Sequence, residues 1–318
     1  MKIKLVYILS DFRGWILEAI AQESADSLNL DIKIIFIPTR WKDLLRIRDL
    51  LNFLRYRNRN ELSLFINQST YFRALKFKLI RTKPENCRVY YTHKQIERDE
   101  FIEAKELFNV EKILTNNAYD MHRLINLGVD TSRVEVIYGA IDHQIYFPAK
   151  KRLEKNYLIP YIIIVGNCKE RKNPKLIYEV VCKMKKIKFI IHGEGWEKYF
   201  YRNALAIPDN LKLLNFDKKQ NPELMRNAHV YLSLAYLEGG PYTTLEALAS
   251  GTPVVATNTG FNSDFLNSTN GVLLPINTNV FQVEAAIIAA LALKKKVSSM
   301  DLLNGQFTWH QLALKLYG

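Results

Sequence analysis

Cysteine is scarce in this chain: Cys87, Cys168 and Cys182 are the only three in 318 residues, far apart and never in Cys-x-x-Cys spacing. An odd, scattered set argues against a disulfide framework or a structural zinc site, and points to a reducing compartment. Long apolar runs are missing too. No stretch reaches the roughly 18 residues that a membrane-spanning helix needs. The start, Met1–Ser10, is basic and then apolar, but its apolar part is too short for a signal-peptide core and runs at once into Asp11 and Arg13. A soluble or peripheral protein of the cytoplasm, or of the inner face of its membrane, is expected. The sequence also lacks a repeat of 20–50 residues, a Gly/Ser-rich linker and any Asp-x-Asp. No Gly-x-Gly-x-x-Gly follows a strand, which argues against a nicotinamide-dependent dehydrogenase.

Acidic residues are in deficit: 32 Asp+Glu stand against 45 Lys+Arg, a formal charge of +13. Hydrophobic residues make up 48% and aromatics 12%, so the chain can bury substantial cores. At about 100–200 residues per domain, the length suggests two domains or one large one. The basic balance suggests an anionic partner: nucleic acid, an acidic membrane face or a phosphorylated small molecule. The charge is not confined to one half. Residues 1–150 carry 24 cations and 19 acids, and the remainder 21 and 13. With no RNP-like run, zinc spacing or helix-turn-helix pattern, a nucleic-acid partner is not expected, though a nucleic-acid-binding protein stays the rival from another class.

Short β-rich runs alternate with helical-period segments along most of the chain. Lys4–Leu9, 32–37, 62–66, 89–92, 113–114 and 134–137 read as strands of a first series, with a helix over Gly14–Leu28 after the first. Tyr161–Val165, 189–192, 211–214, 230–234 and 254–256 form a second series. Asn173-Pro174 and Asn221-Pro222 each read as an Asn N-cap followed by Pro at the first helical position. The gap at 142–157, with Pro148 and Lys150-Lys151-Arg152, is the expected hinge. It divides the chain into two Rossmann-like halves, 1–145 and 146–318, with a cleft between them.

The most informative stretch is Glu238-Gly239-Gly240-Pro241-Tyr242-Thr243-Thr244-Leu245-Glu246, then Ala247-Leu-Ala-Ser-Gly251-Thr-Pro253-Val-Val-Ala256. A Gly-Gly turn lets backbone approach a ligand closely, and Pro241 opens a helix. The amides of Tyr242, Thr243 and Thr244 should then be unpaired, a place for an anion such as a diphosphate. Glu238 and Glu246 bracket the loop, and a carboxylate can accept two hydroxyl hydrogen bonds from a sugar or ribose diol.

These residues resemble the retaining glycosyltransferases of family four, which have the GT-B fold and a Glu-x7-Glu motif. Val136-Ile-Tyr-Gly139-Ala-Ile-Asp142 with Phe147-Pro148, Ile164-Val-Gly166-Asn167-Cys-Lys-Glu-Arg171-Lys172, Ile191-His-Gly193-Glu-Gly195 and Phe307-Thr-Trp309 are similar to further family segments, in order from about residue 110 to 318. The resemblance implies that Glu246 binds ribose hydroxyls of a nucleotide-sugar donor and Glu238 lies near the donor sugar. It implies that Gly239, Gly240, Pro241, Tyr242, Thr243 and Thr244 hold phosphate or sugar hydroxyls, and that Gly166, Arg171 and Lys172 meet the diphosphate. Asn167 falls in the same donor-binding turn, but many relatives carry Arg there, so either Arg171 takes over that charge or phosphate stabilisation is weaker. Gly14, in a shortened turn after the first strand, matches a donor-approaching glycine, and His93 a histidine beside the donor sugar. The resemblance implies an acceptor-binding domain at 1–145, a donor-binding domain at 146–318, and metal-independent transfer with no cofactor to a glycan or lipid-linked acceptor in cell-surface glycan synthesis. A UDP-sugar is the first choice of donor and GDP-mannose the runner-up, with no residue separating them. The C-terminal helix is expected to cross back to the N-terminal domain. The departures at Asn167 and Gly14 keep a second alternative open, an inactive relative serving as a partner subunit.

One segment stands apart. From Arg40 to Lys83 there are twelve Lys/Arg and three acids, and Trp41, Leu44, Leu45, Ile47, Leu51 and Leu54 recur at roughly helical spacing. A basic amphipathic helix of this kind can rest on an anionic membrane, or simply turn its apolar side to the core.

Overall fold

The computed structural model describes residues 3–14, 16–39, 46–93, 99–148, 161–293, 303 and 307–318. The chain divides into two units, Met1–Ala140 with Phe307–Gly318, and Ile141–Gln306. The junction therefore falls after Ala140 rather than after residue 145, and the chain's end leaves the second unit. Packing explains that return. Thr308 and Gln311 form a capping box on helix Trp309–Tyr317, whose Leu312, Ala313, Leu316 and Tyr317 are buried. The Tyr317 hydroxyl donates to the Ala21 carbonyl at 2.7 Å, and Arg88 donates to the carbonyls of Leu316 and Gly318 at 3.5 and 3.4 Å. The expected hinge cluster Lys150-Lys151-Arg152 lies outside the described residues.

The first unit holds β1 (Leu5–Leu9), β2 (Lys33–Ile37), β3 (Ser63–Ile66), β4 (Cys87–Tyr91), β5 (Lys112–Thr115) and β6 (Val134–Val136). They form one parallel sheet in the order β2-β1-β3-β4-β5-β6. Aromatic and β-branched side chains fill its core, and Tyr7 stacks on its register partner Phe65 with ring centroids 5.0 Å apart.

The second unit holds β7 (Tyr161–Val165), β8 (Lys188–His192), β9 (Leu211–Leu214), β10 (Val230–Ser233), β11 (Val254–Thr257) and β12 (Gly271–Leu274). Their order is β12-β11-β10-β7-β8-β9, again all parallel. The chain starts in the middle at β7, builds outward to β9, and returns to lay β10 on the other side of β7. The point where the order reverses lies between β7 and β10, the place where open α/β sheets receive ligands beyond their carboxyl ends. The run Tyr161–Val165 is buried throughout, as a continuous apolar strand covered on both faces should be. β12 and helix Val280–Ala292 are additions to the sequence expectation.

The two Asn-Pro pairs depart from their expected role. Asn173 does occupy the N-cap, but with φ 58° and no side-chain bond to the helix. Asn221 is itself the first residue of helix Asn221–Asn227, with Gln220 at the cap. Its side chain is used elsewhere, as described next.

Candidate active site

Two loops meet at the reversal point of the second sheet. The loop after β7 carries Gly166, Asn167, Arg171 and Lys172, and the loop after β10 carries Glu238, Gly239 and Gly240. Glu238 joins them: Oε2 lies 2.7 Å from Arg171 Nη1 and Oε1 lies 2.6 Å from Lys172 Nζ. Arg171 ties the loops a second time, donating to the Leu237 carbonyl at 2.9 Å and accepting at its own carbonyl from the Tyr236 amide at 3.0 Å. The Glu238 side chain is only 9% exposed. Burial pushes its carboxyl up, but the Lys172 and Arg171 charges more than reverse that and hold it below the usual carboxylate range. The cluster therefore has two cations and one anion, a net positive site with one charge to spare.

Backbone packing behind this cluster is tight. A Cβ on Gly193 would sit 2.1 Å from the Gly166 carbonyl oxygen, so only glycine lets the loop after β8 touch the loop after β7. Trp196 Nε1 donates to that same carbonyl at 2.9 Å. Asn167 does not point a charge at the site; its Oδ1 accepts the Glu194 amide at 2.9 Å and pins the two turns together. Beside them, Gly193, Gly195, Lys198, Leu214 and Asn215 line a groove of about 210 Å³. A larger groove of about 630 Å³, with Lys185, Lys186, Lys188 and Lys212, lies at the amino ends of β8 and β9, away from the ligand-binding edge.

The helix after the Gly-Gly-Pro loop spans Tyr242–Ala249. Its start is more fully bonded than the sequence suggests. The Tyr242 amide donates to the Gly240 carbonyl at 2.9 Å and the Thr244 amide to the Pro241 carbonyl at 2.8 Å, so two of the three amides expected to be unpaired are already used. One of these is a γ-turn contact and the other a 3₁₀-type bond, and both tighten the turn. The hydroxyls of Thr243 and Thr244 face inward, onto Tyr231 Oη at 2.5 Å and Asn262 Oδ1 at 2.9 Å. Gly260, absent from the sequence reading, is what permits the loop to sit here. A Cβ there would lie 2.6 Å from the Gly239 carbonyl oxygen and 2.9 Å from Pro241 Cδ.

Glu246 lies one turn further on. Asn221 Nδ2 donates to its Oε2 at 3.2 Å, and the Tyr146 hydroxyl is its other donor. Burial pushes the Glu246 carboxyl up to about 7, with Tyr146, Asn221 and the charge of Lys218 opposing. Asn221 and Tyr146 were not sequence candidates: Asn221 carried a capping signature, and Tyr146 lies 100 residues from its partner.

The N-terminal candidates are placed in the other unit. The Gly14 amide donates to Glu18 Oε2 at 2.6 Å. Arg13 beside it pairs with Asp49 at 2.5 Å, its guanidinium 3.7 Å from the Phe36 ring centroid. His93 follows β4, its Nδ1 3.0 Å from Thr92 Oγ1 and its carbonyl accepting from Gln68 Nε2.

Of the basic segment, residues 40–45 lie outside the described residues. Helix Ile47–Tyr56 buries Phe53 and Tyr56 and leaves Ile47, Leu51 and Leu54 exposed at 68%, 60% and 43%. Those three share one helical face, with exposed Arg48 and Arg55 at its edge. Among the described residues no helix is long and apolar enough to cross a membrane.

Residues 148–301 match the family model described as "Glycosyl transferases group 1". The D-inositol 3-phosphate glycosyltransferase of Mycobacterium tuberculosis is 24% identical over 178 residues, which cover 50% of this chain and 36% of that protein. The chain thus spans little more than a third of the length of the curated relative it matches. Anabaena HepE, solved in complex with UDP-glucose, aligns with a TM-score of 0.72 at 13% identity, covering 99% of this chain and 98% of that one. The lipopolysaccharide outer core galactosyltransferase WaaB aligns at 0.68 and 14% identity, covering 99% of each chain. The two parallel six-stranded units are a GT-B fold, and the match over residues 148–301 supports a glycosyltransferase.

Proposed function

We propose that this chain is a retaining glycosyltransferase, which moves a sugar from a nucleotide diphosphate sugar to a glycan or lipid-linked acceptor without a metal ion. The observation that carries this is the Glu238–Arg171–Lys172 cluster at the β7/β10 reversal, with Glu246 held one helical turn beyond the Gly-Gly-Pro loop. Lys172, with Arg171, faces the diphosphate and stabilises the negative charge that grows as it leaves. Glu238 holds both cations in place and lies beside the donor sugar. Glu246 accepts the ribose hydroxyls. The sugar's anomeric carbon loses its bond to the diphosphate oxygen and gains one to the acceptor oxygen on the same face, and the acceptor proton passes to the departing phosphate. UDP is our nucleotide, because the HepE neighbour was solved with UDP-glucose.

For the acceptor we favour a lipid-linked glycan met at the inner face of an anionic membrane, in cell-surface glycan synthesis. The exposed Ile47, Leu51 and Leu54 face with its basic flank supports that location, and WaaB, whose name places its acceptor in lipopolysaccharide, supports the class. The test is a thermal-shift series with UDP, GDP and their sugars on wild type and Glu246→Ala. Stabilisation by a nucleotide diphosphate in wild type and its loss in the variant are expected, with UDP released on adding acceptor. A chain that binds duplex DNA and no nucleotide would overturn the proposal. Nucleotide binding without any turnover would favour the inactive partner-subunit reading, to which the side-chain commitment of Asn167 lends its weight.

A further inference from the structure

Behind Glu246 runs a chain of polar groups that begins with a histidine in the sheet. His192 ends β8, fully buried, and its Nε2 accepts the Asp217 backbone N–H at 2.8 Å. An amide N–H can donate only to an unprotonated ring nitrogen, so the neutral imidazole carries its proton on Nδ1. Nδ1 lies 3.1 Å from Asn221 Oδ1 and therefore donates to it. That fixes the amide of Asn221, a residue 1% exposed. Its nitrogen must face the other way, where Glu246 Oε2 lies at 3.2 Å and Tyr146 Oη at 3.0 Å. With its oxygen accepting from Asn221, the Tyr146 hydroxyl has its own proton free for the Glu246 carboxylate. Each donor's direction is forced by the one before it.

We propose that His192, Asn221 and Tyr146 are positioning residues, a relay that holds Glu246 by two donors and turns its remaining lone pairs toward a nucleotide's hydroxyls. The inference rests on the reading of Glu246 as the hydroxyl acceptor. It goes beyond that reading by naming what keeps Glu246 fit for the task. A protonated carboxyl has one acceptor oxygen fewer and cannot take a diol in the same way. Burial works toward that protonated form, while the two relay donors and the charge of Lys218 work against it. Tyr231 also faces Glu246, and Asp142 faces Tyr146. The sign follows: Glu246 is ionised above about 7, so UDP binding is strongest on the alkaline side and weakens as pH falls through that value. Losing a relay donor should move the midpoint up.

The experiment measures UDP affinity from the acidic to the alkaline side of neutrality in wild type, Tyr146→Phe, Asn221→Asp, His192→Leu and Glu246→Ala. Tyr146→Phe removes one oxygen, and its binding midpoint should rise by about one pH unit, a loss of about fivefold in affinity at neutral pH with near-recovery at high pH. Asn221→Asp, the same shape with an acceptor in place of the donor, should move it further. His192→Leu should shift it in the same direction, because the Asn221 amide then loses its orientation. A purely structural role would weaken binding equally at every pH. If Glu246→Ala abolishes UDP binding while the midpoints of the other variants stay at the wild-type value, the relay is wrong and the Glu246 reading stands. If Glu246→Ala binds UDP as well as wild type, both fall. Should Asn221→Asp fail to fold, Tyr146→Phe decides.

Discussion

In the N-terminal unit the turn after β1 has its groups already committed to the chain itself: Glu18 holds the Gly14 amide, and Asp49 holds Arg13 against Phe36. In the C-terminal unit the loops after β7 and β10 bring two cations onto one carboxylate, a three-residue cluster of net positive formal charge. Both sheets are parallel, six-stranded and reverse their strand order once. The two sheets thus present similar reversal points, and the side chains around them make different contacts. The basic charge of the first unit is instead displayed on its surface, along helix Ile47–Tyr56 and at Lys76 and Lys78.

Breaking the C-terminal site should have the largest effect. Glu246→Ala should weaken UDP binding about a thousandfold, the loss of two hydrogen bonds to a charged acceptor, read by calorimetry. Lys172→Ala should lower kcat/KM about a hundredfold by removing charge stabilisation from the leaving diphosphate, with kcat carrying most of the loss. Gly193→Ala should cost about 2 kcal/mol of stability by forcing the loops after β7 and β8 apart, measured by denaturant unfolding. Glu246→Gln separates stability from function. The folded carboxyl sits at about 7 against 4.5 in an ordinary glutamate, so its stabilising proton is fully present below 4.5 and lost as pH rises through about 7. The Gln variant without ligand should thus melt a few degrees higher than wild type at alkaline pH and equally at pH 4.5. The smallest effect tests the other side of the comparison. Glu18→Gln should change UDP affinity by about twofold at most if the β1 turn is closed by its own carboxylate. A gain of tenfold or more would show that the Gly14 turn serves the donor after all.

Much of the fold was legible because its signals are local. Alternating apolar runs and helical periods located eleven of the twelve strands found among the described residues, and Tyr161–Val165 announced a doubly covered strand by composition alone. β12 escaped because it is four residues long with its middle partly exposed, too short and mixed to show a period. Within the site, the Gly-Gly-Pro loop and its bracketing glutamates were legible, since backbone freedom and helix initiation are written in residue type. The state of those groups was not. Nothing near Glu238 in the chain announces that residues 171 and 172 will close on it, and the helix-start amides that looked unpaired find partners in the geometry of the turn.

Asn221 marks the boundary between the two kinds of information. Asn-Pro at a helix start is a capping signature, and by local rules that reading is sound. The tertiary fold placed a buried histidine on one side of the amide and a carboxylate on the other, and a hydrogen bond in a buried site outweighs one that water could replace. By itself the sequence determined the strands, the reversal-ready α/β pattern, the excess of positive charge and the loop between Glu238 and Glu246. Only the tertiary structure decided which charges are paired, which helix-start amides are used and which donors reach Glu246. Those outcomes depend on contacts between residues tens of positions apart, whose energies exist only once the sheets have formed.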